Sequence, residues 1–189
     1  MDSQKVHRFF QENFPPKTVS MTLEEFLESN LPGYEYVNGE LEFMPPKFLE
    51  LGEISTKVVL SLGLYVRENQ IGKIYLPYTT FKVGGCGLIP DVAFLSNANV
   101  PNNFCKASPV PPDLAVEIVS QTDTSYQVEE KAFAYLKAGT QLVWVLKPVS
   151  KTVTVYRSET DITLLTRNDT LTGEDVVKDF SCQVAKLFE

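Results

Sequence analysis

The sequence predicts an α/β protein with a mixed central β-sheet flanked by helices, preceded by an N-terminal helix and hairpin. Three observations carry that expectation. Residues 113–146 run strand, helix, strand, a connection that crosses over right-handed and leaves its two strands parallel neighbours or near neighbours. Two segments, 48–69 and 124–138, repeat apolar residues at helical spacing, and short β-type runs stand between Gly, Pro and Asn turns. With 189 residues, 43% of them hydrophobic and 11% aromatic, the chain can bury a core and is expected to form a single unit over 1–189.

The elements follow in order. After a polar leader at 1–20, Thr22 and Glu25 form a capping box that opens a short amphipathic helix, which Pro32-Gly33 ends. YEYVNGELEFM is a hairpin around Asn38-Gly39, the pair that best tolerates the positive φ angles of a type I′ turn. Between Phe48 and Asn69, Ile54, Val58, Leu62 and Tyr65 mark one buried face of a long helix. IYLPYTTFKV and LIPDVAFLS read as strands separated by GGCG, and the Asn- and Pro-rich stretch 97–112 as a surface loop that can serve as rim, lid or plain connector. The strand 113–119, the helix 124–138 with Gly139 as its C-cap, and the strands QLVWVL, TVTVYR and ITLLTR complete the series, leaving a C-terminal strand and helical tail over 158–189.

Composition narrows the function. Cys86, Cys105 and Cys182 are odd in number and far apart, which suggests neither a disulfide framework nor a structural zinc site. No run approaches the roughly 18 apolar residues of a membrane span, and the first residues lack the apolar core of a signal peptide, so no membrane partner and a cytoplasmic location are expected. A net charge of −7 argues against a surface coated for non-specific nucleic-acid binding. Lys47, Lys57, Lys73, Lys82, Lys106 and Lys147 could still make a local basic rim if they converge.

PPDLAVEIVSQTD sets Glu117 between Val116 and Ile118 in an otherwise apolar strand. A buried carboxylate must be protonated, paired or metal-bound. Asp91, after Pro90 in LIPDVAFLS, is a second acid embedded in a strand. Taken singly, the first could be a salt-bridged glutamate and the second a turn acceptor. Together they are a candidate Mg²⁺ site, since that hard cation is held by one or two carboxylates plus waters and phosphates. On the following helix, Lys131 shares a mostly apolar stripe with Gln127, Val128, Ala134 and Tyr135. It either meets Glu117 or snorkels to water.

IPDVAFLS, PPDLAVEIVSQTD and EEKAFAYLKAGTQLVWVLKPVSKTVTVYR, with TLEEFLESNLPGYEYVNGELEFMPP and LGEIS upstream, resemble the restriction-endonuclease-like family of the PD-(D/E)XK nuclease superfamily over about residues 22–157. The resemblance implies a restriction-endonuclease-like core and a phosphodiesterase in which Asp91 and Glu117 ligate Mg²⁺ or Mn²⁺ while a lysine polarises the scissile phosphate. The superfamily formula places that lysine two residues after the second acid, where this chain has Val119; in this family it is expected on the next helix, where Lys131 matches. Glu53 matches an additional acid contributed by an N-terminal helix, and is equally readable as an ordinary surface glutamate. The family often has a histidine where this chain has Leu51 and an aspartate where it has Lys147.

The expected function is therefore a Mg²⁺-dependent endonuclease acting on nucleic acid, with DNA the favoured substrate and a homodimer the favoured assembly, because two-strand cutting is often organised by two-fold symmetry. The rival is a catalytically silent binding or scaffolding module on the same fold. Hydrolysis of another phosphodiester, such as RNA or a nucleotide, is a third reading.

Overall fold

The Thr22 capping box forms. Glu25 Oε2 accepts from Thr22 N at 2.8 Å and Thr22 Oγ1 accepts from Glu25 N at 3.2 Å, opening helix α1 (Leu23–Ser29). The structure is a computed structural model that describes residues 21–29, 31–44, 46–103 and 105–189; the leader at 1–20 lies outside the described residues. Next comes the hairpin of β1 (Tyr34–Val37) and β2 (Glu40–Phe43), whose turn residues Asn38 and Gly39 both have positive φ, 51° and 88°. The twist of such a turn matches that of the strands it joins.

The long helix expected over 48–69 is present as α2 (Leu49–Val58), a π turn at Val59–Gly63 and α3 (Leu64–Asn69). Its buried residues Ile54, Val58, Leu62 and Val66 are four apart. A straight α-helix of 3.6 residues per turn would let that spacing drift off the face, and the wider π turn takes up the difference. Tyr65 packs at the margin and donates its hydroxyl to Lys178 O at 2.8 Å.

Two runs read as single strands are each divided. IYLPYTTFKV splits into β3 (Gly72–Tyr75) and β4 (Phe81–Val83), because Pro77 has no N–H for a ladder and Tyr78 takes a φ of 81°. LIPDVAFLS splits at Pro90-Asp91 into β5 (Cys86–Leu88) and β6 (Val92–Ser96). The halves join different sheets. Strands β2-β1-β5-β4 form a four-stranded sheet, while β3 and β6 enter the six-stranded sheet with β7 (Leu114–Ile118), β8 (Leu142–Lys147), β9 (Thr152–Tyr156) and β10 (Ile162–Leu165), in the order β10-β9-β8-β7-β6-β3. Helix α4 (Ser125–Ala138), capped by Gly139 at φ 110°, connects β7 to β8, which pair in parallel as the crossover requires. The remaining pairs of that sheet are antiparallel.

The six-stranded sheet is buried on both faces. Val92, Phe94, Leu114, Val116, Ile118, Trp144 and Leu146 pack with the α2 and α3 helices and with Leu171, Val177, Phe180, Val184 and Leu187 of the C-terminal segment. That segment contains β11 (Thr170–Thr172) and β12 (Ser181–Gln183), and its expected helical tail is a single 3₁₀ turn at Val184–Leu187. On the opposite face Ala93, Leu95, Ala115, Val143 and Val145 pack against Ala132 and Tyr135 of α4 and Phe81, Val83 and Leu88 of the smaller sheet. The loop after β6 is pinned beside β4, where Lys82 N donates to Ser108 O at 2.9 Å and Ser108 N to Thr80 O at 2.8 Å. Among the described residues no helix is long and apolar enough to cross a membrane.

Candidate active site

Alternation along β7 determines where its charge lies. Leu114, Val116 and Ile118 point toward the long helix, so Ala115 and Glu117 point toward α4. On α4, Lys131 and Tyr135 are one turn apart on the inner stripe, and both reach the same carboxylate oxygen. Glu117 Oε1 accepts from the Tyr135 hydroxyl at 2.9 Å and lies 3.1 Å from Lys131 Nζ. Lys131 therefore meets Glu117 rather than running out to water, and Val119, half-buried, is left to pack against the α4 face.

Asp91 is 3% exposed and stands just before β6. Its Oδ2 accepts from Ile118 N at 2.7 Å, which fixes the carboxylate beside the residue that follows Glu117. Lys47, between β2 and α2, places Nζ 2.5 Å from both Asp91 oxygens and 3.4 Å from the Ile118 carbonyl. Glu35 of β1 completes the group. Its Oε1 lies 2.8 Å from Lys131 Nζ and accepts from Ile89 N at 2.6 Å, so the smaller sheet holds both Lys131 and the Ile89-Pro90-Asp91 turn.

Three carboxylates thus face two ammonium groups in a largely water-excluded space. The Glu117 carboxyl is raised to about 7, first by burial and then by Asp91 and Glu35, against the opposing pull of Lys131 and Lys47. For Lys131, burial disfavours the charge, but Glu117 and Glu35 more than offset it and raise the ammonium above its usual range. Burial and then Glu117 raise the Tyr135 hydroxyl well above its usual value, so it remains a proton donor. Glu42, directly opposite Glu35 across the hairpin, is raised by partial burial and by that like-charged neighbour.

The donors available to a metal are hard oxygens: the Asp91 and Glu117 carboxylates and the Ile118 carbonyl. They suit Mg²⁺ or Mn²⁺ rather than a thiolate- or imidazole-seeking ion. Among the described residues no three His, Cys, Asp or Glu side chains converge into a full cage. Mg²⁺ does not need one, since water and phosphate complete its octahedron.

Comparison with known proteins matches residues 22–185 to the Uma2 family, described as putative restriction endonucleases. The chain belongs to the Uma2 family. A crystal structure of a putative nuclease belonging to DUF820 from Anabaena variabilis aligns with a TM-score of 0.77 at 23% identity, covering 89% of this chain and 97% of that one. No curated protein matches. The restriction-endonuclease-like fold is established by these likenesses, and family membership supports nuclease function in general terms.

Within this Uma2 chain, Asp91, Glu117 and Lys131 come together, and Glu53 does not join them. Glu53 is 66% exposed and ion-paired with Lys57 at 2.8 Å, on the helix that covers the opposite face of the sheet from Lys131. The family resemblance singled it out as an additional acid, whereas its exposure and i,i+4 pairing are those of an ordinary helix-surface glutamate. The basic rim is also reduced, because Lys57, Lys82 and Lys106 pair with Glu53, Glu24 and Glu28, while Lys47 turns into the site. Glu35 and the inward turn of Lys47 were not foreseen from the sequence. A signal for the first existed: the two-residue turn at Asn38-Gly39 forces Glu35 opposite Glu42, and two like charges face each other across a hairpin only at a cost unless a cation stands near.

Proposed function

We propose that this Uma2 protein is a Mg²⁺- or Mn²⁺-dependent endonuclease acting on DNA, with Asp91 and Glu117 as metal ligands and Lys131 as the cationic group at the scissile phosphate. The observation that carries the reading is the 3.1 Å approach of Lys131 Nζ to Glu117, which puts a helix-borne ammonium beside the carboxylate pair although the strand itself offers Val119. A divalent cation bound here supplies Lewis-acid activation of water and of a phosphoryl oxygen. The chain's own groups do the rest. Ile118 N orients Asp91, Tyr135 orients Glu117, and Glu35 holds Lys131 in place, so the charges are positioned before substrate arrives. Lys131 stays protonated and offsets negative charge that develops on the phosphate. A homodimer, with two such sites related by a two-fold axis, suits cutting of both strands.

The test is nicking of supercoiled plasmid with and without Mg²⁺ or Mn²⁺. Wild type should nick only with metal, and Asp91→Ala and Lys131→Ala should each abolish it while circular dichroism shows the fold intact. Undiminished cleavage by both variants sinks the assignment. A wild type that neither nicks DNA nor gains thermal stability from Mn²⁺ supports the silent module instead.

A further inference from the structure

Lys47 is not required by the proposed reaction, yet its ammonium lies inside the donor set. It touches both Asp91 oxygens and the Ile118 carbonyl, the oxygens that would face a hard divalent cation. We propose that Lys47 is the resident counter-ion of the metal pocket, occupying the cation's place in the metal-free protein and leaving when the cation binds. This inference rests on the metal reading given above.

The two lysines of the site are held differently. Lys131 is on a regular helix and is shared by two carboxylates, whereas Lys47 stands in the irregular stretch between β2 and α2, one-third exposed, with Asp91 as its carboxylate partner. Its four-carbon stem can swing toward water without disturbing the sheet. Asp91 cannot move out in the same way, because its backbone N–H is bonded to Val116 O at 3.0 Å and its Oδ2 to Ile118 N. Without metal the buried carboxylate needs a cation, and with metal the same oxygens are claimed. An ammonium and a divalent cation at one carboxylate repel strongly in a water-poor site. Binding of the metal therefore includes breaking the Lys47 ion pair, and the apparent affinity is lower by that amount.

Mn²⁺ binding to the full chain, followed by titration calorimetry, tests the exchange with Lys47→Met. The variant should bind Mn²⁺ roughly tenfold more tightly than wild type, the fold-change expected for loss of one competing charge-assisted hydrogen bond. Its Tm should be lower than wild type in EDTA and should approach it in saturating Mn²⁺. Equal or weaker Mn²⁺ binding by Lys47→Met, with wild type binding normally, overturns the exchange and leaves the metal reading standing. Absence of Mn²⁺ binding in both proteins overturns the two together. A second measurement needs no variant: acylation of Lys47 in wild type, read by mass spectrometry against Lys147, should rise when Mn²⁺ saturates the protein. A rate that is unchanged or falls overturns the proposal even if Lys47→Met does not fold.

Discussion

Two aspartates of the central sheet are built almost alike and meet different partners. Asp91 follows Pro90 and Asp113 follows Pro112, and each stands just before one of the antiparallel neighbours β6 and β7. Asp91 N donates to Val116 O at 3.0 Å while Ile118 N donates to Asp91 Oδ2 at 2.7 Å; Asp113 N donates to Phe94 O at 2.9 Å while Ser96 N donates to Asp113 Oδ2 at 2.7 Å. The pairing of Val92 with Val116 and of Phe94 with Leu114 relates the two arrangements by an approximate two-fold axis through the Ala93–Ala115 pair. Both carboxylates are buried, at 3% and 5% exposure. The difference is the second partner. Asp113 meets the neutral amide of Asn99 at 2.6 Å and pins the loop that follows β6, whereas Asp91 meets Lys47 in a group that includes Glu117, Lys131 and Glu35. A Pro-Asp pair therefore supplies the same backbone-locked carboxylate twice, and the charges opposite it decide whether it is a pin or a candidate ligand.

The sharpest way to break this contrast is to neutralise each aspartate in turn. Asp91→Asn should lower metal-dependent nicking by about 10³-fold or more, the scale lost when a preorganised electrostatic group is removed. Asp113→Asn should leave nicking within a few-fold and lower stability by about 1–3 kcal/mol, the cost of weakening buried hydrogen bonds. Equal loss of nicking in the two variants, measured on folded protein, would erase the distinction.

Lys131→Met extends the contrast to the cations. It removes the partner of two buried carboxylates and should destabilise the protein by about 3–5 kcal/mol in denaturant melts at neutral pH, along with loss of nicking. Lys131→Arg should recover most of the stability, since the charge remains, and little of the activity, since a planar guanidinium does not reproduce the ammonium's position. Recovery of both would make charge alone sufficient.

Glu117 adds a pH signature of its own. Folding raises its carboxyl from 4.5 to about 7, so the folded protein binds the extra proton more tightly than the unfolded chain. The resulting stability is fully present below about pH 4.5 and is lost as pH rises to about 7. The Tm of metal-free wild type minus that of Glu117→Gln should fall across this window. A flat difference would show that Glu117 is ionised throughout. A smaller effect is expected of Tyr135→Phe, which deletes the hydroxyl bonded to Glu117 and should cost about 1 kcal/mol in urea melts, with nicking reduced but retained. Glu53→Ala, outside the cluster, should leave nicking unchanged.

Much of this was legible in the chain. The Thr22 capping box, the Asn38-Gly39 turn, the Gly139 cap and the parallel pairing of β7 with β8 follow from local chemistry and from the handedness of crossovers. Asp91 and Glu117 stood out because an acid in an apolar strand must find a partner, and Lys131 because it shares an inward helical stripe. Lys47 was visible only as a loop residue, and Glu35 only as half of a like-charged hairpin pair that asks for a cation without naming which, since nothing local says that the smaller sheet folds over the Asp91 turn.

The sequence by itself determined most of the helices and strands, though not the division of two strand runs between the sheets or the shrinking of the tail to a 3₁₀ turn; it also determined the direction in which the β7–α4–β8 unit turns, and that Glu117 is a charge in an apolar strand in need of company. Those are properties of backbone hydrogen bonding, side-chain periodicity and desolvation, each acting within a few residues. The tertiary structure alone decided which charges provide that company. Asp91 resembles Asp113 along the chain, and Glu53 is as acidic as Glu35. Coulomb attraction in a water-poor site acts over a few ångströms of space, and residues 35, 47, 91, 117 and 131 become neighbours only when both sheets and α4 are packed.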